Sequence, residues 1–362
     1  MQFRFVKKED AKSCNDFHNR LYKKNRTLKQ WEWGFLYNSY DPEQYLYAVC
    51  EEQNQLIGTQ TIIPIKMIDS EGIFWTAKSE ATLVDPDFRG KQIFKKLYDL
   101  MFEYVEKNNF AYIWGFTQAT KALLPLGFQV PYDTKQIIMP FSHRFSSLLK
   151  KTNSNNLIKI AVKLGITAIR LISSLKLFLE TPKDESFISV KTFERAPEES
   201  AKISEEFIKQ YGGKTIYRDE EYLNWRIFDN PYAASICKGI YIDDNLVGWI
   251  AYTIGSDGVG SLVDIMAVPD KSRKVETSEI ISRLLYEAVI GTRNMGASGI
   301  RGWHVTNHPF DLLVLEAAKN LGFFKINKGY AAVIYTVDPE NERFRDLSDW
   351  YITRIYTEGV LG

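Results

Sequence analysis

Two consecutive α/β units, each built on a mixed sheet (α+β in its mixture of strand directions), are the fold that the sequence predicts. Three observations carry this. A strand-like run, a basic turn and an amphipathic helix follow one another over residues 75–105. Around that stretch the order is strand, helix, three strands, helix, strand, helix, strand, and the second half of the chain repeats it. Short segments also recur in the two halves in the same order. The division expected is a first domain over 1–147, a helical insert and linker over 148–186, and a second domain over 187–362.

The run 75–84 is apolar at Ala81, Leu83 and Val84, and Pro86 stops it because proline cannot donate to a ladder. Beyond Gly90, the residues Ile93, Phe94, Leu97, Tyr98, Met101, Phe102 and Val105 form a helical stripe with a buried face. The corner between them gathers free backbone N–H groups with Arg89 and Lys91 at a helix N-terminus, an arrangement that attracts phosphate. Before it, strands are expected at 3–6, 45–50 and 56–65, with a helix carrying Phe17 and Leu21 inward. After it come strands at 110–116 and 136–140, with Leu126-Gly127-Phe128 between them.

The halves correspond at five places. Trp33…Asn38 answers Trp225…Asn230, and Leu56-Ile57-Gly58 answers Leu246-Val247-Gly248. Glu80 precedes Val84 by the spacing at which Asp264 precedes Val268, Ile113…Phe116 answers Ile300…Trp303, and Leu126-Gly127-Phe128 answers Leu321-Gly322-Phe323. The period is that of a duplicated domain, much too long for a solenoid. The insert reads as a loop over 150–156 and an apolar helix over 157–179 in which Lys159, Lys163 and Arg170 share a face. Its charges and Gly165 argue against a spanning helix. Packing against protein is favoured over contact with a membrane surface, the other role of a basic amphipathic helix.

Forty-six Lys and Arg against 45 Asp and Glu disfavour nucleic acid as a general partner. Three scattered cysteines read as free thiols of a reducing, cytoplasmic compartment, and four histidines without Cys/His spacing predict no metal site.

The segment Val84-Asp85-Pro86-Asp87-Phe88-Arg89-Gly90-Lys91 resembles the pyrophosphate loop of the GNAT superfamily of acyl-CoA-dependent N-acyltransferases, and departs from it at Gln92 and Phe94, where small residues are usual. The duplication makes the chain similar to tandem-GNAT proteins, in particular to N-acyltransferases of nucleotide-linked amino sugars such as the anthrose-pathway type. The 218–231 run and the 350–353 segment share in that likeness. What the resemblance implies is acyl-CoA as co-substrate, its pyrophosphate on Arg89, Gly90, Lys91, Gln92, Ile93 and Phe94, and backbone N–H groups near Leu83 and Val84 as oxyanion donors. The second half has Glu276 and Glu279 in place of the basic turn, so one CoA per chain is expected. Glu80 is the expected general base, on the same side of its strand as Thr82 and Val84. The tyrosine that commonly serves as acid is replaced by Leu123 in one half and Ala318 in the other, which leaves His304 as the donor. Trp33, Asn38, Trp225, Asn230 and Asp264 are the residues expected to meet a small-molecule acceptor. The alternatives are a Fem-like aminoacyl transferase, which calls for an arm of two long helices, or a non-catalytic binding protein of the same fold.

Overall fold

The computed structural model describes residues 1–145, 156–327 and 329–357, and it divides into two compact units. The first takes residues 1–67, 71–133 and 330–347, and the second takes 68–70, 134–329 and the chain from 348. The first unit contains β1 (Gln2–Phe5), α1 (Ala11–Tyr22), α2 (Leu28–Phe35), β2 (Tyr47–Glu52), β3 (Gln55–Asp69), β4 (Gly72–Val84), α3 (Ile93–Lys107), β5 (Tyr112–Thr117), α4 (Thr120–Leu123) and β6 (Gln129–Asp133). Its sheet runs β1-β2-β3-β4-β5-β15-β6, where β15 is Ala331–Thr336. A capping box starts α2. The Thr27 hydroxyl accepts from Gln30 N and the Gln30 side chain accepts from Thr27 N. The predicted stripe of α3 is the buried one, with Ile93, Leu97, Met101 and Val105 sharing a core with Ala48, Ile57, Ala77 and Ile113. Each such side chain stabilises the unit by about 1.5–3 kcal/mol, and Leu97→Ala would cost about 2–5 kcal/mol.

The second unit contains β7 (Lys135–Pro140), α5 (Asn156–Leu179), β8 (Ile188–Phe193), α6 (Ser200–Tyr211), the two-residue β9 (Thr215–Ile216) and α7 (Glu220–Leu223), which runs into a π-helical turn at Asn224–Phe228. There follow β10 (Ser235–Ile242), β11 (Asn245–Ile254), β12 (Gly260–Ala267), α8 (Thr277–Asn294), β13 (Gly299–His304), α9 (Pro309–Leu321) and β14 (Phe324–Ile326). The sheet order is β14-β7-β13-β12-β11-β10-β8. Ile280, Ile281, Leu284, Leu285, Ala288 and Val289 of α8 are wholly buried, the counterpart of the α3 stripe.

Both sheets share one irregularity. The parallel junctions of β4 with β5 and of β12 with β13 pair at two positions each, Ala77↔Ile113 with Lys78↔Trp114 and Gly260↔Ile300 with Ser261↔Arg301. Beyond those positions the two strands splay.

The compact units do not follow a contiguous division at 147. Thr134 alone separates β6 from β7, yet β6 pairs with β15 in the first sheet and β7 pairs with β13 in the second. The 136–140 strand expected to close the first domain closes the other sheet, and β15 from the second half returns the exchange. Duplicated units present equivalent edges, so either copy of the strand satisfies either edge, as in domain swapping.

The insert helix spans Asn156–Leu179, and the loop expected at 150–155 lies outside the described residues. One side of α5 packs on the end of α9, where Ser173 Oγ donates to Gly322 O at 2.8 Å. Gly322 sits at φ +100, and a Cβ there would lie 2.7 Å from Ser173 Cα, so glycine is required twice over. Among the described residues no helix is long and apolar enough to cross a membrane. Cys14, Cys50 and Cys237 are buried and free.

Candidate active site

The turn after β4 is fixed by Asp85, a residue the sequence reading passed over. Its N–H donates to Ile57 O at 2.9 Å, and its buried carboxylate accepts from Asp87 N at 3.2 Å and Arg20 Nη1 at 3.0 Å. Pro86–Phe88 form one 3-10 turn with proline at the start. Arg89 is extended, Gly90 has φ +82, and Gln92 is left-handed before α3 begins. A Cβ on Gly90 would meet nothing within 4 Å, so the glycine serves the backbone angle and not the space. No side chain caps α3 and no acidic residue stands in its first turn. Arg89, Gly90, Lys91 and Gln92 are exposed, while Ile93 is buried and Phe94 packs partly on the core. Lys91 Nζ lies 4.6 Å from the Phe88 ring and 3.8 Å from a Glu52 oxygen. An uncapped helix N-terminus beside two cations is a corner of the kind that attracts anions.

The equivalent turn of the second unit is closed on itself. Asp270 and Val275 exchange backbone hydrogen bonds at 3.0 and 2.9 Å, and Asp270 Oδ1 accepts from Ser272 Oγ and Arg273 N, each at 2.7 Å. Glu276 stands at the N-cap of α8 and Glu279 in its first turn. Carboxylates occupy the end that a pyrophosphate would need.

Within β4, Ala81 adopts φ +50, which costs a residue with a Cβ about 1–3 kcal/mol. The Thr59 hydroxyl holds it by donating to Ala81 O at 2.8 Å. Like a β-bulge, this residue breaks the alternation of the strand. Thr82 therefore faces α3 together with Ser79, and does not share the side of Glu80 as simple alternation predicted. Tyr98 OH lies 2.9 Å from Ser79 Oγ and 3.3 Å from Thr82 Oγ1, Gln60 Nε2 donates to Ser79 Oγ at 2.9 Å, and Thr82 donates to Gln60 Oε1. Burial pushes the Tyr98 phenol above its ordinary value, so it stays protonated at neutral pH. On the opposite face Glu80 pairs with the buried Lys78 and keeps its own side chain about one-third (32%) exposed.

His304 ends β13, opposite Lys135 of β7, and is 4% exposed. Its Nδ1 approaches Asp311 Oδ2 to 3.1 Å but out of hydrogen-bonding line. That oxygen accepts from Val305 N and Thr306 N at 3.0 and 2.9 Å. Asp264 is buried in a bidentate pair with Arg218 at 2.9 and 3.0 Å, and its oxygens also accept from Trp249 Nε1 at 3.1 Å and Thr353 Oγ1 at 2.7 Å. It presents no open lone pair to an acceptor.

The repeated asparagines are turn formers. Asn38 Oδ1 accepts from Tyr40 N and Asp41 N at 3.0 Å, and Asn230 Oδ1 accepts from Tyr232 N at 2.9 Å. Trp225 is buried with the Arg226 guanidinium 4.6 Å from its ring, and Trp33 is half-buried. Thus the structure gathers the phosphate-turn residues on one helix end and sets Glu80 on the splayed strand beside them in sequence. Asp264 is engaged by Arg218, Trp249 and Thr353, and the side-chain oxygens of the two asparagines accept from nearby backbone N–H groups. The grouping of Gln60, Ser79, Thr82 and Tyr98 is not legible in the sequence, since Tyr98 lies in an apolar stripe and the others are ordinary strand polar residues.

Residues 2–130 match the acetyltransferase (GNAT) domain family. No curated protein sequence matches the chain. Among solved structures, a GCN5-related N-acetyltransferase of Anabaena variabilis is 9% identical, with TM-score 0.59, over 93% of this chain and 73% of its own. Saccharomyces cerevisiae N-myristoyltransferase with bound myristoyl-CoA is 11% identical, with TM-score 0.59, over 92% and 78%. Eis1 of Mycobacterium abscessus is 12% identical, with TM-score 0.55, over 94% and 75%. At such identities the likeness establishes the fold, and the match over residues 2–130 supports acyl transfer in general. That match, over 129 of the 362 residues, together with the fold supports an acyl-CoA-dependent N-acyltransferase.

Proposed function

We propose that the pyrophosphate of acyl-CoA lies on the backbone of residues 89–94, with its thioester in the opening where β4 leaves β5, and that the amine acylated belongs to a nucleotide-linked amino sugar. The observation that carries the first part is the uncapped, acid-free N-terminus of α3 beside Arg89 and Lys91, directly after the splayed strand. The acceptor class is supported by the likeness of the tandem organisation to enzymes of that kind.

Glu80 takes the proton of the amine, whose nitrogen then attacks the thioester carbonyl carbon. The C–S bond breaks as the N–C bond forms, and the departing thiolate takes a proton from a neutral acid. Backbone N–H groups of Leu83 and Val84 face the carbonyl oxygen in this scheme. Tyr98, through Ser79 or Thr82, is the proposed donor, since its phenol stays protonated. His304, at the end of β13 in the second unit, is the alternative.

Calorimetric titration with CoA tests the turn. Arg89→Gln with Lys91→Gln should weaken binding about tenfold or more, since charge-assisted contacts are worth about 1.5–3 kcal/mol each. Lys271→Gln with Lys274→Gln, in the closed turn, should leave it unchanged. The opposite pattern would reverse the assignment of the halves. Thiol release from acetyl-CoA in the presence of dTDP- and UDP-linked amino sugars tests the acceptor. Turnover with simple amines but none with these sugars would remove the acceptor class and leave the CoA site standing.

A further inference from the structure

Among the described residues, helix α5 buries one side and leaves most of the other exposed. Ser173 and Leu177 pack inward on the second unit, and Lys176 Nζ is tied to Lys319 O at 2.8 Å. Facing away from them, Leu164, Leu171, Leu175 and Phe178 are 65%, 67%, 60% and 74% exposed, and Ile160 and Leu179 are exposed as well. At about 100° per residue, Ile160, Leu164, Leu171, Leu175 and Phe178 fall within an arc of roughly 60° opposite Ser173. This is a continuous apolar stripe along a helix of 24 residues, about 36 Å long at 1.5 Å per residue. A soluble surface rarely carries such a stripe without a use for it.

The charge around the stripe identifies what covers it. Between Asp133 and Glu180 the sequence contains eight Lys and Arg and no Asp or Glu. The remainder of the chain holds 38 basic against 45 acidic residues, a net charge of −7. Positive charge is thus concentrated on the segment that bears the bare stripe. Lys163 is exposed, Arg170 is half-buried, and Arg170 lies near enough to Arg293 to help lower that guanidinium's pKa, after burial. A second copy of this helix is a poor occupant. Two-fold pairing would set cations against the same cations with no carboxylate on the helix to answer them. An anionic surface with an apolar layer beneath it satisfies both features at once.

We propose that α5 lies in the interfacial plane of an anionic lipid bilayer, with the Leu164–Phe178 stripe turned into the acyl boundary and Lys163 and Arg170 beside it reaching the headgroups. The sequence alone favoured packing against protein; the structure shows that packing takes only the Ser173 side. The inference stands apart from the acceptor assignment.

The test is co-sedimentation of the full chain with vesicles of phosphatidylcholine alone and of phosphatidylcholine containing about a third phosphatidylglycerol. Binding is expected to the anionic vesicles and to fall about tenfold in ~0.5 M salt. Leu171→Glu with Leu175→Glu should abolish it, and Lys163→Gln with Arg170→Gln should lower it about tenfold. The two leucines are solvent-facing, so circular dichroism of the first variant should match the parent. A parent chain that stays in the supernatant with anionic vesicles at low salt would overturn the proposal. So would equal binding to both vesicle types, or a dimer that Leu171→Glu with Leu175→Glu splits while vesicles recover no protein.

Discussion

Replacing Asp264 by Asn separates a structural carboxylate from a substrate-binding one. Arg218 is wholly buried and spends its donors on Asp264 at 2.9 and 3.0 Å, Thr215 Oγ1 at 2.8 Å, Ile216 O at 2.9 Å and Thr353 Oγ1 at 3.3 Å. The neighbouring carboxylate holds its guanidinium above even the usual arginine value, against the pull of burial. Asparagine keeps the shape but removes the charge and turns an amide N–H₂ toward groups that are already donors. An uncompensated buried cation remains, at a cost of about 3–5 kcal/mol. At about 2–4 °C per kcal/mol for a unit of this size, that is a drop of roughly 6–20 °C in melting temperature. Differential scanning calorimetry reads it directly. Arg218→Met combined with Asp264→Leu should recover most of the loss, because replacing both partners of a buried pair by apolar groups is often near neutral. CoA affinity should not change in folded Asp264→Asn protein. If the variant melts within about 2 °C of the parent and instead raises KM for the acceptor, the reasoning is wrong and Asp264 belongs to the site.

Glu80→Gln should lower turnover about 10²–10⁴-fold with CoA affinity unchanged, whereas His304→Asn should leave turnover within a few-fold; the reverse result would move the proton route to the second unit. His18, half-buried on α1 with Nδ1 unpartnered, has its pKa lowered to about 4 by burial, with Arg26 adding to the effect. Because the folded value lies below the unfolded 6.5, this group's contribution is complete above that pH and is lost as pH falls toward 4. An NMR titration of its ring protons should show the low midpoint, and a midpoint near 6.5 would exclude it.

Periodicity and recurrence made the scaffold legible. The α3 stripe and its α8 counterpart are buried as their 3.6-residue spacing requires, and Leu126-Gly127-Phe128 and Leu321-Gly322-Phe323 recur because each glycine ends a helical turn at positive φ. Recurrence by itself did not say why a residue recurs. Asn38 and Asn230 could cap the chain or meet a sugar on their sequence alone, and both close Asx turns, a need every copy of the unit shares. The facing of Thr82 was hidden because the residue at positive φ is Ala81, where glycine or asparagine would have signalled the break. The strand exchange left no trace, since both halves write the same strand pattern at the same place. Nor does local spacing reveal that Asp264 is answered by Arg218, 46 residues away.

The two copies of the unit show how one strand position comes to hold an open or a sealed carboxylate. Glu80 and Asp264 stand at equivalent places, on the strand that splays from its parallel neighbour after two paired positions. In the first unit the cation that answers the carboxylate is Lys78, two residues back on the same strand. It can pair without covering Glu80, and a third of that side chain stays open to solvent. In the second unit the cation comes from Arg218, and Thr353 of the terminal segment closes over the same oxygens, so both partners are fully buried. The turn that follows changes in the same sense, from an uncapped basic corner to a hairpin with Glu276 and Glu279 at the helix end. Loss of phosphate donors and filling of the carboxylate therefore go together, while the splay survives in both units. The sheet geometry sets where the carboxylate stands, and the placement of one cation decides whether it stays open to solvent or is sealed in the core.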